Sequence, residues 1–401
     1  FTVTDTWQRF SVTFTVTAGT DWHPIRANTS PSEVYIWGAQ LEEGSELTEY
    51  APSVETFVSR ASSATYVDDA TGLITTAAVD AARYENGELL LEEARTNLLT
   101  YSEQFDQWNS GSNVTVTPDA VAAPNGSITA DRLELAATSS SFINNSTITA
   151  GTTYTASLYV KAVTPGVNDQ FDLNFSGGVS SQTFTATGEW QRITATRTVA
   201  NTGAFGITNG NDSYASDIYI WGAQVEAAPY ASSYIPTSGS TVTRAADVST
   251  SALGVDSWYN QSEGTVFVEA KNYPHPVTGK ALVPVQLTDN SYNNLIQLGG
   301  STGSTQFNFD VFNAGSMQRA ILGNFVSSGI KASGGYKSTG SAGSLDGATA
   351  VTSSTPNIPS VIGQIDIGRA HDGVNSLNGH ISRLAYFPTR RTDQELVNMT
   401  L

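Results

Sequence analysis

Three observations predict an all-β fold for this sequence. Apolar residues alternate with Ser and Thr in short runs, turn signals separate those runs, and one long block of sequence occurs twice. Phe10, Val12, Phe14 and Val16 alternate with polar residues, and so do Tyr154, Ala156, Leu158 and Val160. Ile218 and Ile220 alternate with Tyr219 and Trp221. A period of two is the mark of a half-buried strand. Between the runs lie Pro124-Asn125-Gly126, Ala150-Gly151 and Asn209-Gly210-Asn211-Asp212, all turn-forming combinations. Many short strands with little helical periodicity point to β-sandwiches.

The repeat sets the domain order. Trp7-Gln8-Arg9 returns as Trp190-Gln191-Arg192, 183 residues later. The stretch SEVYIWGAQLE from Ser32 to Glu42 returns as SDIYIWGAQVE from Ser216 to Glu226, 184 residues later. Tyr50-Ala51-Pro52 recurs as Tyr234-Ile235-Pro236, and Arg60-Ala61 as Arg244-Ala245. Residues 1–59 therefore read as the last strands of a first copy, with the chain extending upstream of Phe1, and residues 101–243 as a complete second copy. Residues 60–100 read as a connector containing Leu89, Leu90, Leu91, Leu98 and Leu99. Residues 244–401 form a different domain, in which Val266, Val268 and Ala270 alternate, and Phe307, Phe309 and Val311 likewise. The Gly-, Ser- and Ala-rich stretch 327–355 reads as long loops. Thr392 and Glu395 have the spacing of a capping box, which predicts a short closing helix.

Composition excludes several functions. With 39% apolar and 10% aromatic residues the chain can build real cores, although only 14% of its residues are charged. It carries 37 acidic against 19 basic residues, a formal charge of −18, which repels nucleic acid and anionic membranes. It has no cysteine, hence no disulfide, thiolate metal site or cysteine nucleophile. No apolar run is long enough to span a membrane as a helix. The four histidines are scattered without metal-binding spacing, and no nucleophile elbow or phosphate loop occurs. Glu42-Glu43 and Glu92-Glu93 are adjacent, and neighbours on a strand face opposite ways, so neither is a natural acid–base pair. No catalytic residue and no enzymatic activity are expected.

Binding is the remaining chemistry. Trp37 and Trp221 read as packing residues, because Gly-Ala beside each allows close approach of another element. Trp22, in the loop between the repeated blocks, and Trp108 are better placed to stack on a sugar. Asn209, Asn211, Asp212 and Tyr214 occupy the loop equivalent to that of Trp22, and could supply polar groups to a sugar or oxygens to Ca²⁺. Asp289, Asn290, Tyr292 and Asn293 form a similar set in the last domain.

The Trp-Gly-Ala-Gln-(Leu/Val)-Glu block, the Tyr-x-Pro after it and the run Leu90-Leu91-Glu92-Glu93-Ala94-Arg95-Thr96-Asn97-Leu98-Leu99 resemble modules of phage tail, fibre and minor structural proteins. Those modules are similar to carbohydrate-binding modules with a galactose-binding-like jelly roll. Gly264-Thr265-Val266-Phe267-Val268-Glu269, Ile367-Gly368-Arg369 and Leu377-Asn378-Gly379-His380-Ile381 make the last domain look like a concanavalin A-like, laminin G-type sandwich. The resemblance implies a bacteriophage virion structural protein on a surface appendage, attaching to host glycans and to other virion proteins. The alternatives are a capsid decoration or head fibre, and a polysaccharide depolymerase tailspike. A homotrimer is expected, partly because fibres are commonly trimeric. The connector leucines also exceed what one strand of a single sheet can bury, so they need a second surface, from this chain or from a partner.

Overall fold

The structure, a computed structural model, describes residues 4, 6, 8–12, 58–138, 141–175, 181–209, 214–252, 259–272, 280–326, 329–353 and 358–401. The chain divides into two units, Phe1–Glu55 and Thr56–Leu401. In the first unit, residues 8–12 carry no strand, and Phe10 and Val12 are exposed, contrary to the expected half-buried strand. In the complete copy the matching strand Gln191–Thr198 pairs with Thr153–Ala162. Trp22 and the first Trp-Gly-Ala-Gln block lie outside the described residues.

The second unit consists of β-sandwiches, as expected. The jelly roll has two five-stranded antiparallel sheets. One runs in the order Ser181–Thr185, Gln170–Phe175, Gly203–Thr208, Phe142–Ile148, Asn109–Ser110; the other Gln191–Thr198, Thr153–Ala162, Ser216–Glu226, Ile128–Leu135, Val114–Ala122. The alternation read in Thr153–Ala162 points Tyr154, Ala156, Leu158 and Val160 into the core between the sheets, against Phe171, Phe175 and Phe205.

The last sandwich pairs two seven-stranded sheets. One runs Val58–Ser59, Val248–Ala252, Gln364–Ile367, Val285–Thr288, Leu295–Gly300, Gln306–Asn313, Ser316–Asn324. The other runs Val351–Ser353, Gly340–Leu345, Ile330–Lys337, Glu263–Asn272, Gly379–Phe387, Glu88–Leu91, Arg83–Glu85. Two sequence expectations are corrected here. The Gly- and Ser-rich stretch expected as loops supplies three of these strands. Its small residues are packing: a Cβ on Gly334 would lie 2.2 Å from the Phe309 ring, and one on Gly343 2.9 Å from Leu322. Absent side chains let the large residues of the opposite sheet come close. On the same strand Ser333 donates to the carbonyl of Leu396 (2.9 Å), anchoring the closing helix Asp393–Met399, which carries the expected capping box.

The second correction concerns the connector. The connector is not a free linker: Val58–Ser59 and Arg83–Glu85 are edge strands of the last sandwich, and Glu88–Leu91 lies between Arg83–Glu85 and Gly379–Phe387. Leu89 and Leu91 belong to its core, Leu90 is buried, and Leu99 belongs to the jelly-roll core with Leu98 packed against it. The jelly roll is thus an insertion. The chain leaves the last sandwich at Asn97 and returns at Val242, and those two residues pair in the ribbon Arg95–Asn97/Val242–Arg244. All five leucines are covered by their own chain, so they give no reason for a partner chain.

The repeated blocks build a clasp. Ser157 pairs with Gln224 and Tyr159 with Trp221, so the strand carries an extra residue there, a β-bulge with Gly222 at φ 63°. The bulge turns Trp221 onto the outer face, between Tyr159 and Tyr234, as the packing reading expected. Gln224 accepts from the backbone N–H of Ile235 (2.6 Å), and Glu226 accepts from that of Ser232 (2.9 Å). Arg192, from the other repeated block, donates to the carbonyl of Ser232 (2.7 Å). Both blocks therefore hold one returning segment. Replacing Gly222 by Ala puts a side chain in the left-handed region and 3.1 Å from Tyr159. Thermal unfolding of G222A should show a loss of about 1–3 kcal/mol; an unchanged midpoint would show that the bulge is not what positions the clasp.

Candidate functional site

The seven residues expected to bind sugar fall in different places. Trp22, Asn211 and Asp212 lie outside the described residues. Trp108 does not present a ring face: it is 5% exposed, packs on Phe105 and Phe205, and its indole N–H donates to the Tyr101 carbonyl (2.7 Å). Tyr214 donates its hydroxyl to buried Asp172 (2.5 Å); burial and that carboxylate raise its pKa well above the ordinary value. Asn209 donates to the carbonyls of Ala136 and Thr138, which ties down its loop. Among the described residues, no group of three or more His, Asp and Glu side chains could hold a metal ion.

Tyr292 is the predicted residue that keeps an exposed ring, at 47% exposure. It sits in the loop between the strands Val285–Thr288 and Leu295–Gly300. Asn290, two residues earlier, adopts φ 67° and is exposed. Thr288 and Asp289 brace this turn: Thr288 Oγ1 accepts from the backbone N–H of Asn290, and Asp289 accepts from Ser291 and Asn294.

The structure adds three residues that sequence reasoning missed: His371, Asp372 and Asn375, from the loop after Gln364–Ile367. Tyr292 donates its hydroxyl to Asp372 Oδ2 (2.5 Å), and Asn375 Nδ2 donates to the same oxygen (3.0 Å). Asp372 Oδ1 accepts from the backbone N–H groups of Val374 and Asn375. Burial alone would raise the Asp372 pKa. The hydrogen bonds from Tyr292, Val374 and Asn375 outweigh it and hold the carboxyl below its usual range. Burial and the bond to Asp372 push the Tyr292 hydroxyl up to about 12, so it stays a donor at neutral pH.

His371 meets the Tyr292 ring at 4.4 Å between centroids, edge to face. Gln286 Oε1 accepts from the backbone N–H of His371 (2.9 Å) and lies 2.8 Å from its Nδ1. Gln286 Nε2 donates to Gln297, which fixes the direction of the amide. Nδ1 then carries the hydrogen that points at Gln286, which fixes the orientation of the ring. The corner combines an exposed aromatic ring, an ionised carboxylate, an amide and an imidazole held by hydrogen bonds. That set can stack on the apolar face of a sugar and bind its hydroxyls. The sequence signal for the second loop is only the turn Asp372-Gly373, 80 residues beyond Tyr292.

No protein-family model matches this chain, and no curated protein matches it. Its fold has remote likenesses among solved structures. The CBM40 module of a Ruminococcus gnavus IT-sialidase, bound to α2,3-sialyllactose, is 12% identical at a TM-score of 0.30, over 35% of this chain and 83% of that one. The paired laminin G domains of the mouse laminin α1 chain are 11% identical at 0.27, over 74% and 89%. A tandem of carbohydrate-binding modules from a Paenibacillus barcinonensis xylanase is 9% identical at 0.24, over 75% and 99%. The β-sandwich assignment of this chain stands on its own strand pairing.

Proposed function

We propose that this chain is a non-catalytic adhesion component of a bacteriophage tail or fibre, and that its last sandwich holds a host surface glycan at the Tyr292 corner. The observation that carries the binding reading is the exposed Tyr292 ring, braced by Asp372 and Asn375. The phage setting rests on the sequence blocks that resemble tail and fibre modules. Calcium has no part in this reading.

A glycan array with the purified chain, repeated with Tyr292→Ala, tests the binding. Removing the ring should weaken the bound glycan about ten- to a hundredfold, the value of burying one aromatic side chain. An array with no binding, or one unchanged by the substitution, would overturn the reading. Release of reducing ends from capsule or lipopolysaccharide would establish a depolymerase instead. Electron microscopy of labelled particles separates tail from capsid decoration. Trimeric assembly belongs to the fibre reading through the resemblance alone, and light scattering on the purified chain tests it.

A further inference from the structure

The jelly roll carries a second recess, of about 240 Å³, between the short strand Asn109–Ser110 and the neighbouring strand Phe142–Ile148. Gln107, Trp108, Asn109, Asn144 and Asn145 are among its lining residues, with the Trp108 ring itself packed into the core. Consecutive residues of a regular strand face opposite ways. Here a bulge between Asn145 and Thr147, with Ser146 at φ 55°, breaks that alternation and brings Asn144 and Asn145 to one recess. The approach of the next strand depends on Gly206, where a Cβ would lie 2.5 Å from the Ile143 carbonyl.

The amides are oriented. Asn145 Oδ1 accepts from the backbone N–H and hydroxyl of Thr100, while Ser146 Oγ donates to the Leu98 carbonyl (2.5 Å). That oxygen is engaged, and the Asn145 NH₂ has no partner among the described residues. Asn145 lines the recess, so this NH₂ is available to a ligand there. Asn144 Oδ1 accepts weakly from Asn109 Nδ2 (3.4 Å), which leaves the Asn144 NH₂ and the Asn109 side-chain oxygen without partners among the described residues. The recess therefore offers two amide donors and one amide acceptor. None of its lining residues is charged, and Asp106, tied to Gln107 at 2.8 Å, would oppose an anion.

We propose that this recess is a second binding site, which takes one neutral sugar ring, a hexose or N-acetylhexosamine unit. The two amide donors meet hydroxyl or acetamido oxygens, and the Asn109 carbonyl accepts a hydroxyl proton. The volume is below the range usual for drug-sized ligands, which suits a single ring. The site is independent of the Tyr292 corner.

The test uses the full chain carrying Tyr292→Ala, so that the other site is silent. Saturation-transfer NMR is run with glucose, galactose, N-acetylglucosamine, N-acetylgalactosamine and, as the anionic probe, glucuronate. Saturation should pass to at least one neutral sugar and not to glucuronate. It should be lost on adding Asn144→Leu, with the thermal midpoint unchanged, and Asn109→Leu should repeat the result if N144L does not fold. No transfer to any neutral sugar, transfer unaffected by both substitutions, or preference for glucuronate would each overturn the proposal. Loss of array binding in Tyr292→Ala alone bears only on the first site.

Discussion

Residues 244–401 expressed alone should remain unfolded, whereas residues 58–401 should melt cooperatively. The shorter fragment matches the domain boundary suggested by the repeat, and it lacks the strands Val58–Ser59, Arg83–Glu85 and Glu88–Leu91. Losing Glu88–Leu91 exposes the edge of Gly379–Phe387 and removes Leu89 and Leu91 from the core. Leu91 seats directly over Gly368, where a Cβ would lie 2.4 Å from its methyl. Each buried leucine is worth about 2–5 kcal/mol. Together with Val58, the leucines approach the roughly 5–15 kcal/mol that stabilises a whole domain. Replacing residues 98–241 by a short linker should leave a sandwich that folds with reduced stability, because Asn97 and Val242 already pair. Circular dichroism melts of the three fragments decide the matter. A cooperative melt of 244–401 alone would show that these three strands are an accessory.

Glu92→Gln should cost about 3–5 kcal/mol, the usual loss when one partner of a buried ion pair is removed. Glu92 lies 2.9 Å from Arg83 and 3.1 Å from Arg244, and accepts the backbone N–H (2.8 Å) and hydroxyl (2.7 Å) of Ser233. Asp247 pairs with Arg60 at 2.9 Å and Arg83 at 2.6 Å. Arg60 places its remaining donors on the carbonyls of Ala78, Ala81 and Ser62. Arg60 and Arg244, equivalent in the repeat, thus end in one buried network of three guanidinium groups and two carboxylates. Without Glu92 a single carboxylate would face all three.

This network also predicts an acid sensitivity. Burial would raise the Glu92 pKa, but the charges of Arg244 and Arg83 and the bonds from Ser233 overcome it and hold the carboxyl far below 4.5. A folded-state pKa below the unfolded one means stability that is present above pH 4.5 and lost as pH falls below it. Urea titrations should therefore show stability falling from about pH 5 downward, with a shallower fall in E92Q. An equal slope in both proteins would place the acid-sensitive group elsewhere.

The sequence by itself determined the all-β class, the repeat, the packing role of Trp221 and the closing helix. Each is local: alternation, a block and its copy, a glycine beside a tryptophan, Thr392 three residues before Glu395. Only the tertiary structure decided that Val58–Ser59, Arg83–Glu85 and Glu88–Leu91 belong to the last sandwich and that the jelly roll is an insertion. Strand partners such as Leu90 and His380 are 290 residues apart. Period-two patterning shows that a strand has a buried face; it does not say which sheet supplies the cover. The same limit hid His371, Asp372 and Asn375. Tyr292 stood out as an aromatic residue among amides, but its carboxylate partner is 80 residues away on another loop. Trp108 failed as a stacking platform for the opposite reason, since the core of the jelly roll took its ring faces. The glycines of 327–355 misled because a Gly-rich loop and a strand that admits Phe309 have the same composition. Which of the two forms depends on whether a large side chain waits on the facing sheet.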